Sequence, residues 1–160
     1  MIKGNKNYSF IFIISSLCLL SACRNNVVFT DSIIMPAKKW ELMNIPSFSV
    51  AVDDTIKSNN VIFTIRTASS YPFRNIYLFV KTTSPAGVSI TDTLQYFLAD
   101  EKGKWYGKGF GDIHELKLPY KSNVYFPVRG TYRFTVQHGM RVEYLNGVYD
   151  FGLRIEKTRK

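Results

Sequence analysis

From residue 48 onward, apolar and polar side chains alternate every second residue in run after run, and that period leaves few folds open. Period two is the mark of a half-buried β-strand, because successive side chains point to opposite faces of a sheet. Phe48, Val50 and Val52 share one face before Asp53-Asp54 ends the run. Val61, Phe63, Ile65 and Thr67 repeat the pattern between Ser58-Asn59-Asn60 and Ala68-Ser69-Ser70. Residues 75–83 place Ile76, Leu78 and Val80 on one side and Tyr77, Phe79 and Lys81 on the other. Ser84-Pro85-Ala86-Gly87 then turns the chain into 88–98, so the two runs read as a hairpin.

Beyond Asp100-Glu101-Lys102-Gly103, which is turn chemistry, Trp105-Tyr106 opens a further strand. Gly107, Gly109 and Gly111 remove Cβ atoms at alternate positions, which in a strand pattern marks a bulge or the close approach of another chain. Residues 124–126 form a short run that stops at Pro127. Residues 131–138 set Tyr132, Phe134, Val136 and His138 against Thr131, Arg133, Thr135 and Gln137. Residues 148–156 do the same with Tyr149, Phe151, Leu153 and Ile155, while 140–145 fit a helical turn or a loop equally well. About seven to eight strands with turn signals at roughly ten-residue spacing predict an antiparallel β-sandwich over residues 48–160. Phe63, Phe79, Phe134 and Phe151 are expected in its core.

The N-terminus follows a different plan. Lys3 and Lys6 precede an apolar stretch from Phe10 to Leu20, shorter than the roughly 20 apolar residues a membrane-spanning helix needs, so residues 1–22 read as a cleaved signal peptide. Leu20-Ser21-Ala22-Cys23 resembles the bacterial lipobox. In such signals the peptidase cuts before the cysteine, here between Ala22 and Cys23, after the sulfur has taken a diacylglyceryl group. Removing 22 of the 160 residues leaves 138, and losing Lys3 and Lys6 lowers the formal charge from +9 to +7. Cys18 leaves with the signal and Cys23 is consumed as a thioether, so no disulfide supports the domain. A chain of that size buries roughly two thirds of its unfolded surface, which is enough without one. Residues 23–47, interrupted by Pro36 and Pro46, are expected to form a lipid-anchored tether and an irregular lead-in, with Trp40 packed on the domain edge.

Catalytic chemistry finds little support. There is no Gly-x-Ser-x-Gly elbow, and Gly107-Lys108-Gly109-Phe110-Gly111 has the wrong spacing for a dinucleotide fingerprint. His114 and His138 stand apart, although Asp112, His114 and Glu115 gather locally, and a zinc site would want three or four ligands at recognisable spacing. Asp112, Glu115, Glu143 and Asp150 offer carboxyls for any hydrolytic pair one chooses to draw, which singles out none. No cofactor and no metal are expected. Export removes the chain from cytoplasmic nucleic acid, so the basic tail 154–160 suits anionic lipid head groups or an acidic partner, or is simply solvated. Among aromatics near turns, Trp105, Tyr106 and Phe110 are the candidate contact surface, for a protein or, alternatively, a stacked glycan.

Several ordered blocks carry a family resemblance. Behind the lipobox come Tyr71-Pro72-Phe73-Arg74-Asn75-Ile76-Tyr77-Leu78-Phe79, then Asp92-Thr93-Leu94, Leu98-Ala99-Asp100, Gly103-Lys104-Trp105 and Gly111-Asp112-Ile113. Phe126-Pro127, Gly130-Thr131-Tyr132, Met140-Arg141-Val142, Val148-Tyr149-Asp150 and Gly152-Leu153-Arg154-Ile155-Glu156-Lys157 close the chain. Together they resemble the gliding-motility lipoprotein GldH family of the Bacteroidetes. The resemblance implies an accessory lipoprotein of the gliding machinery, linked with type IX secretion, that partners a lipid bilayer through Cys23 and other envelope proteins. It implies no catalytic residue. Arg24-Asn25-Asn26 lacks an acidic export run, which points to the periplasmic face of the outer membrane.

Overall fold

The computed structural model describes residues 26–158, so the expected signal peptide, Cys18, Cys23 and the expected Ala22–Cys23 cleavage site lie outside the described residues. Eleven strands follow in chain order: β1 (Val27–Ile34), β2 (Lys39–Glu41), β3 (Ser47–Val52), β4 (Asn59–Ala68), β5 (Asn75–Thr83) and β6 (Ser89–Phe97), then β7 (Lys108–Phe110), β8 (Ile113–Val124), β9 (Gly130–His138), β10 (Tyr144–Asn146) and β11 (Val148–Lys157). A five-stranded sheet in the order β1-β11-β4-β8-β7 packs on a four-stranded sheet in the order β3-β9-β5-β6, and β10 pairs with β2 in a small third sheet. All pairings are antiparallel. The chain is an all-β sandwich, as its periodicity predicts.

The core is the meeting of the two inner faces. Val61, Phe63 and Ile65 of β4 and Phe151, Leu153 and Ile155 of β11 face Phe48 and Val50 of β3, Phe134 and Val136 of β9 and Ile76, Leu78 and Val80 of β5, all of them buried. Within the five-stranded sheet Phe63 joins β11 to β8, its ring tilted against Phe151 at 5.3 Å and stacked on Tyr120 at 5.2 Å. Alternation decides the face, so Phe79, expected inside, stands with Tyr77 on the outer face of the second sheet and is exposed.

From Asn26 on, the segment expected as tether and irregular lead-in is part of the domain. β1 pairs with β11 from Val27↔Glu156 to Ile34↔Asp150, and only Phe29 and Ile33 alternate inward with Asp31 between them, too weak a pattern to read as a strand. A one-turn 3-10 helix, Pro36–Lys38, leads into β2. Trp40 is fully buried rather than packed on an edge: its ring lies 4.9 Å from Phe151 and 5.5 Å from His138, and its indole N–H donates to the Asn44 carbonyl at 2.8 Å. β8 is the other difference. Leu116, Leu118 and Tyr120 alternate with Glu115, Lys117 and Pro119, a strand signal broken on paper by a proline, which β8 tolerates because past its three-residue pairing with β7 that side of the strand is an open edge. Residues 140–145 supply bends and the start of β10 rather than a helix.

His138 is fully buried at the end of β9, and neither ring nitrogen has a hydrogen-bond partner among the described residues. Burial pushes its pKa below the ordinary imidazole value, and an approach to the Trp40 backbone outside hydrogen-bond geometry opposes the shift only in part.

Two outcomes follow from this core. Trp40→Ala should cost about 3–5 kcal/mol in urea unfolding, and a fragment starting at Ser47 should fail to fold, whereas a tether could be removed without loss. Because the folded His138 binds its proton less tightly than the unfolded one, stability should be flat above about pH 6.5 and fall as pH drops below it. His138→Leu should flatten that slope; an unchanged pH profile of urea midpoints would refute the assignment.

Candidate interaction surface

The three aromatics singled out in the sequence are brought to one side of the sandwich in different states. Trp105 is half-buried: one ring face stacks on His114 at 4.9 Å and 15°, and its edge meets Tyr71. His114 Nε2 in turn lies 2.9 Å from Ser69 Oγ. Tyr106 is 64% exposed, and Phe110, at the tip of β7, is 93% exposed. The glycines between them do what their spacing suggests. A Cβ on Gly107 would lie 2.5 Å from the Glu115 carbonyl oxygen, and one on Gly109 would lie 2.7 Å from His114 Nδ1, so the chain comes this close to β8 only because these two positions carry no side chain.

The acidic candidates are already occupied. Asp112 accepts from the Ser69 amide and from the Tyr149 hydroxyl, each at 3.0 Å, and lies 3.6 Å from Lys38 Nζ. The Ser69 amide, ahead of Tyr149, holds the Asp112 carboxyl below the usual carboxylate range. Glu115 is exposed on the outer face, opposite Lys108 of β7 and Arg66 of β4. Asp150 is buried and bound by Arg66, whose Nε lies 2.6 Å away. Ser69, His114 and Asp112 therefore lack the relay of a catalytic triad, since Asp112 bonds the serine amide and not the imidazole. Among the described residues no three His, Cys, Asp or Glu side chains cluster as metal ligands.

What the side does present is two sheet edges of opposite character. On β8, Pro119 has no amide proton, its carbonyl accepts from the Tyr96 hydroxyl at 2.7 Å, and the register slips beside Val61. Proline, an outward lysine at Lys117 and a bulge are the devices by which an edge refuses another strand. β6 has none of them. The Tyr77 carbonyl accepts from the Gly139 amide at 2.7 Å, so Tyr77 turns its backbone to β9, and alternation turns Leu78 and Val80 to β6. Their partners Leu94 and Asp92 are thereby paired, and Ser89, Thr91, Thr93, Gln95 and Phe97 turn their backbone N–H and C=O outward. No strand among the described residues pairs with that edge. At nine residues β6 is longer than β3, the six-residue strand at the sheet's other edge.

Between the β6 and β8 edges runs a cleft of about 620 Å³ walled by Tyr96, Phe97, Tyr106, Lys108, Lys117 and Leu118. Past Pro119, beyond the cleft, polar side chains latch the two strands together. The Tyr120 hydroxyl donates to Asp92 at 2.6 Å, and Lys121 Nζ lies 2.9 Å from the same carboxylate, tying β8 to β6 across the sandwich. Tyr120 and then Lys121 hold the Asp92 carboxyl below its ordinary value, while burial pushes the Tyr96 phenol up to about 12. Sequence reading located the aromatic side of this surface but missed β8 and with it the cleft; the signal was the Leu116-Leu118-Tyr120 alternation.

Comparison with known proteins agrees with the ordered blocks. The family model for the GldH lipoprotein matches residues 27–155. A protein of Christiangramia forsetii named gliding motility lipoprotein GldH homolog is 33% identical over 156 residues, covering 93% of this chain and 94% of its own length. The gliding motility lipoprotein GldH of Flavobacterium johnsoniae is 35% identical over 146 residues, covering 87% and 90%. Among solved structures, CBM35 from Cellvibrio japonicus Abf62 aligns over 86% of this chain and 94% of its own with 14% identity and a TM-score of 0.28, a likeness too low to bear on ligand or function.

The latch makes a prediction of its own. Tyr120→Phe should raise the Asp92 pKa in an NMR titration, because the hydrogen bond to the ionised form is lost. A depressed folded pKa contributes stability that is present above the unfolded value and lost as pH falls through the folded one, so the variant should also lose less stability on acidification.

Proposed function

Since the chain belongs to the GldH lipoprotein family, we propose that it is a membrane-anchored accessory lipoprotein of the gliding-motility machinery, linked with type IX secretion, acting by protein–protein contact rather than catalysis. Cys23 is the attachment point, exposed by cleavage after Ala22, and the periplasmic face of the outer membrane is its site. One acyl chain binds a bilayer reversibly and two or three hold durably, each buried methylene contributing about 0.8 kcal/mol. The working surface is the side of the sandwich that carries Tyr106, Phe110 and the β6 edge.

The observation that carries this reading is the open β6 edge. An extended partner segment laid along it gains main-chain hydrogen bonds from Thr91, Thr93 and Gln95 and sets alternate side chains toward the cleft, the logic of strand addition. Tyr106 and Phe110 supply aromatic contact area beside it. Lys108 and Lys117 outnumber Glu115 on the far wall and favour a segment that carries carboxylates.

Thr93→Pro removes one outward amide and leaves the β5 ladder intact, so the protein should fold and melt near the wild type while losing its partner adducts in whole-cell crosslinking. Retention of the same adducts would sink strand addition at β6. In the same cells Cys23→Ser should shift the protein from the membrane to the soluble fraction, and unchanged fractionation would refute the anchor.

A further inference from the structure

The position of the first strand relative to Cys23 decides how the domain sits. Asn26 is already fixed, its carbonyl accepting from the Lys157 amide at 2.8 Å. Two residues, and so three Cα–Cα steps, separate it from Cys23, and fully extended those steps span no more than about 11 Å. The end of the sandwich that holds Asn26 is therefore confined to the immediate neighbourhood of an acylated cysteine, whatever path residues 24 and 25 take.

Antiparallel register identifies what else lies at that end. Val27 is opposite Glu156, Lys157 opposite Asn59, and Asn59 opposite Val124. In the second sheet Val52 is opposite Gly130, and Thr83 is opposite both Arg133 and Ser89. Loops 53–58, 84–88 and 125–129 thus all emerge beside Asn26. Their proximity is direct: the Thr158 amide donates to the Ser58 carbonyl at 3.0 Å, and a Cβ on Gly130 would come within 2.9 Å of Pro85 Cβ.

Each of these loops holds an apolar side chain out toward solvent. Ile56 is 83% exposed and Tyr125 61%, with Val88 and Val128 also exposed. Their backbones are fixed from behind. The Asp54 carboxylate accepts the amides of Ile56 and Lys57 at 3.1 Å each, the Val128 amide donates to the Tyr132 hydroxyl at 3.1 Å, and buried Phe126 packs on Tyr132 at 4.9 Å. Exposed cations stand among them, Lys57, Arg129 and Lys157, with Arg159 and Lys160 following in the sequence; they outnumber the two carboxylates of the same face, Asp53 and Asp54, the latter 3.8 Å from Lys57 Nζ. Apolar tips ringed by lysine and arginine are the composition that seats in a lipid headgroup layer.

We infer that this end of the sandwich is a membrane-seating face: with Cys23 acylated, loops 53–58, 84–88 and 125–129 rest on the bilayer, Ile56 and Tyr125 enter its interfacial layer, and Lys57, Arg129 and Lys157 meet anionic head groups. The inference rests on acylation of Cys23. It converts the lipid from a leash into one point of a multi-point contact, and it fixes the orientation of the domain.

The processed chain offers a clean test, since its only cysteine would be consumed by lipid and an introduced thiol is then the sole labelling site. Ile56→Cys, Tyr125→Cys and, at the opposite end, Phe110→Cys are each labelled with an environment-sensitive fluorophore in the acylated full chain, placed in vesicles of phosphatidylethanolamine and phosphatidylglycerol. Labels at 56 and 125 should be shielded from aqueous iodide about threefold or more relative to the label at 110, and shielding should weaken when Lys57, Arg129 and Lys157 are changed to Glu. Equal quenching at all three sites in acylated protein would overturn the seating while leaving the anchor intact. Shielding in whole cells but not in protein-free vesicles would assign this end to a protein and also overturn it. Mass analysis of the N-terminal peptide reads the acylation separately; an unmodified Cys23 in the membrane-expressed chain would defeat anchor and seating together.

Discussion

The ladder between β1 and β11, from Val27↔Glu156 to Ile34↔Asp150, joins the first described strand to the last, and much of the molecule's character descends from it. It places the first described residues at a sheet edge instead of leaving them as a spacer. A spacer of residues 24–47 would let a domain wander about 80 Å from an anchor at Cys23; with the attachment proposed there, the ladder reduces that reach to three Cα–Cα steps. Behind β1 the same chain must then cross the end of the sandwich, and Trp40 fills the gap between Phe151 and His138 as it does so. The N-terminal segment therefore contributes to the core and sets the attachment geometry at once.

A sandwich made of open sheets has edges, and this one treats them unequally. The β8 edge is closed to pairing by Pro119, by the capture of its carbonyl by Tyr96 and by a register slip. Tyr120, Asp92 and Lys121 tie that closed edge to β6. The ties hold β6 through the inward side chains of Asp92 and Tyr96, leaving the outward backbone of Thr91, Thr93 and Gln95 unengaged by them. An edge that is braced from inside and open outside is preorganised for a strand, because the ordering cost of β6 has already been met by folding.

The sequence makes the repeated alternation legible wherever a strand is half-buried and uninterrupted. Residues 75–83 are recovered as β5 to the residue, and β9 and β11 nearly so. It fails where tertiary context overrides local signal. β1 is an edge strand with only Phe29 and Ile33 turned in, and β8 carries a proline that only its edge position makes tolerable. Phe79 is aromatic and periodic yet lies on the outer face, because alternation assigns faces relative to Ile76, Leu78 and Val80 and those three are the ones the core accepts. Trp105, Tyr106 and Phe110 are locatable from their turn context, but the cleft that Tyr106 borders depends on β8 and β6 coming together from different sheets, a relation that no local pattern encodes.

Seating and edge together dictate a direction. β6 begins at Ser89, beside the loops around Asn26, and ends at Phe97, where the cleft and Tyr106 lie. Nine residues at about 3.4 Å each make an edge about 30 Å long. With the domain seated at the Asn26 end, that edge rises away from the bilayer, and its aromatic half is the half farthest from lipid. A partner segment added there runs along the membrane normal, and its outermost residues meet Tyr106, Phe97 and Lys108 well clear of the head groups. Tethering only at Cys23 would leave the edge free to lie at any angle; the three loops convert a flexible attachment into a post, and a strand can be received on a post without first paying the entropy of orienting it.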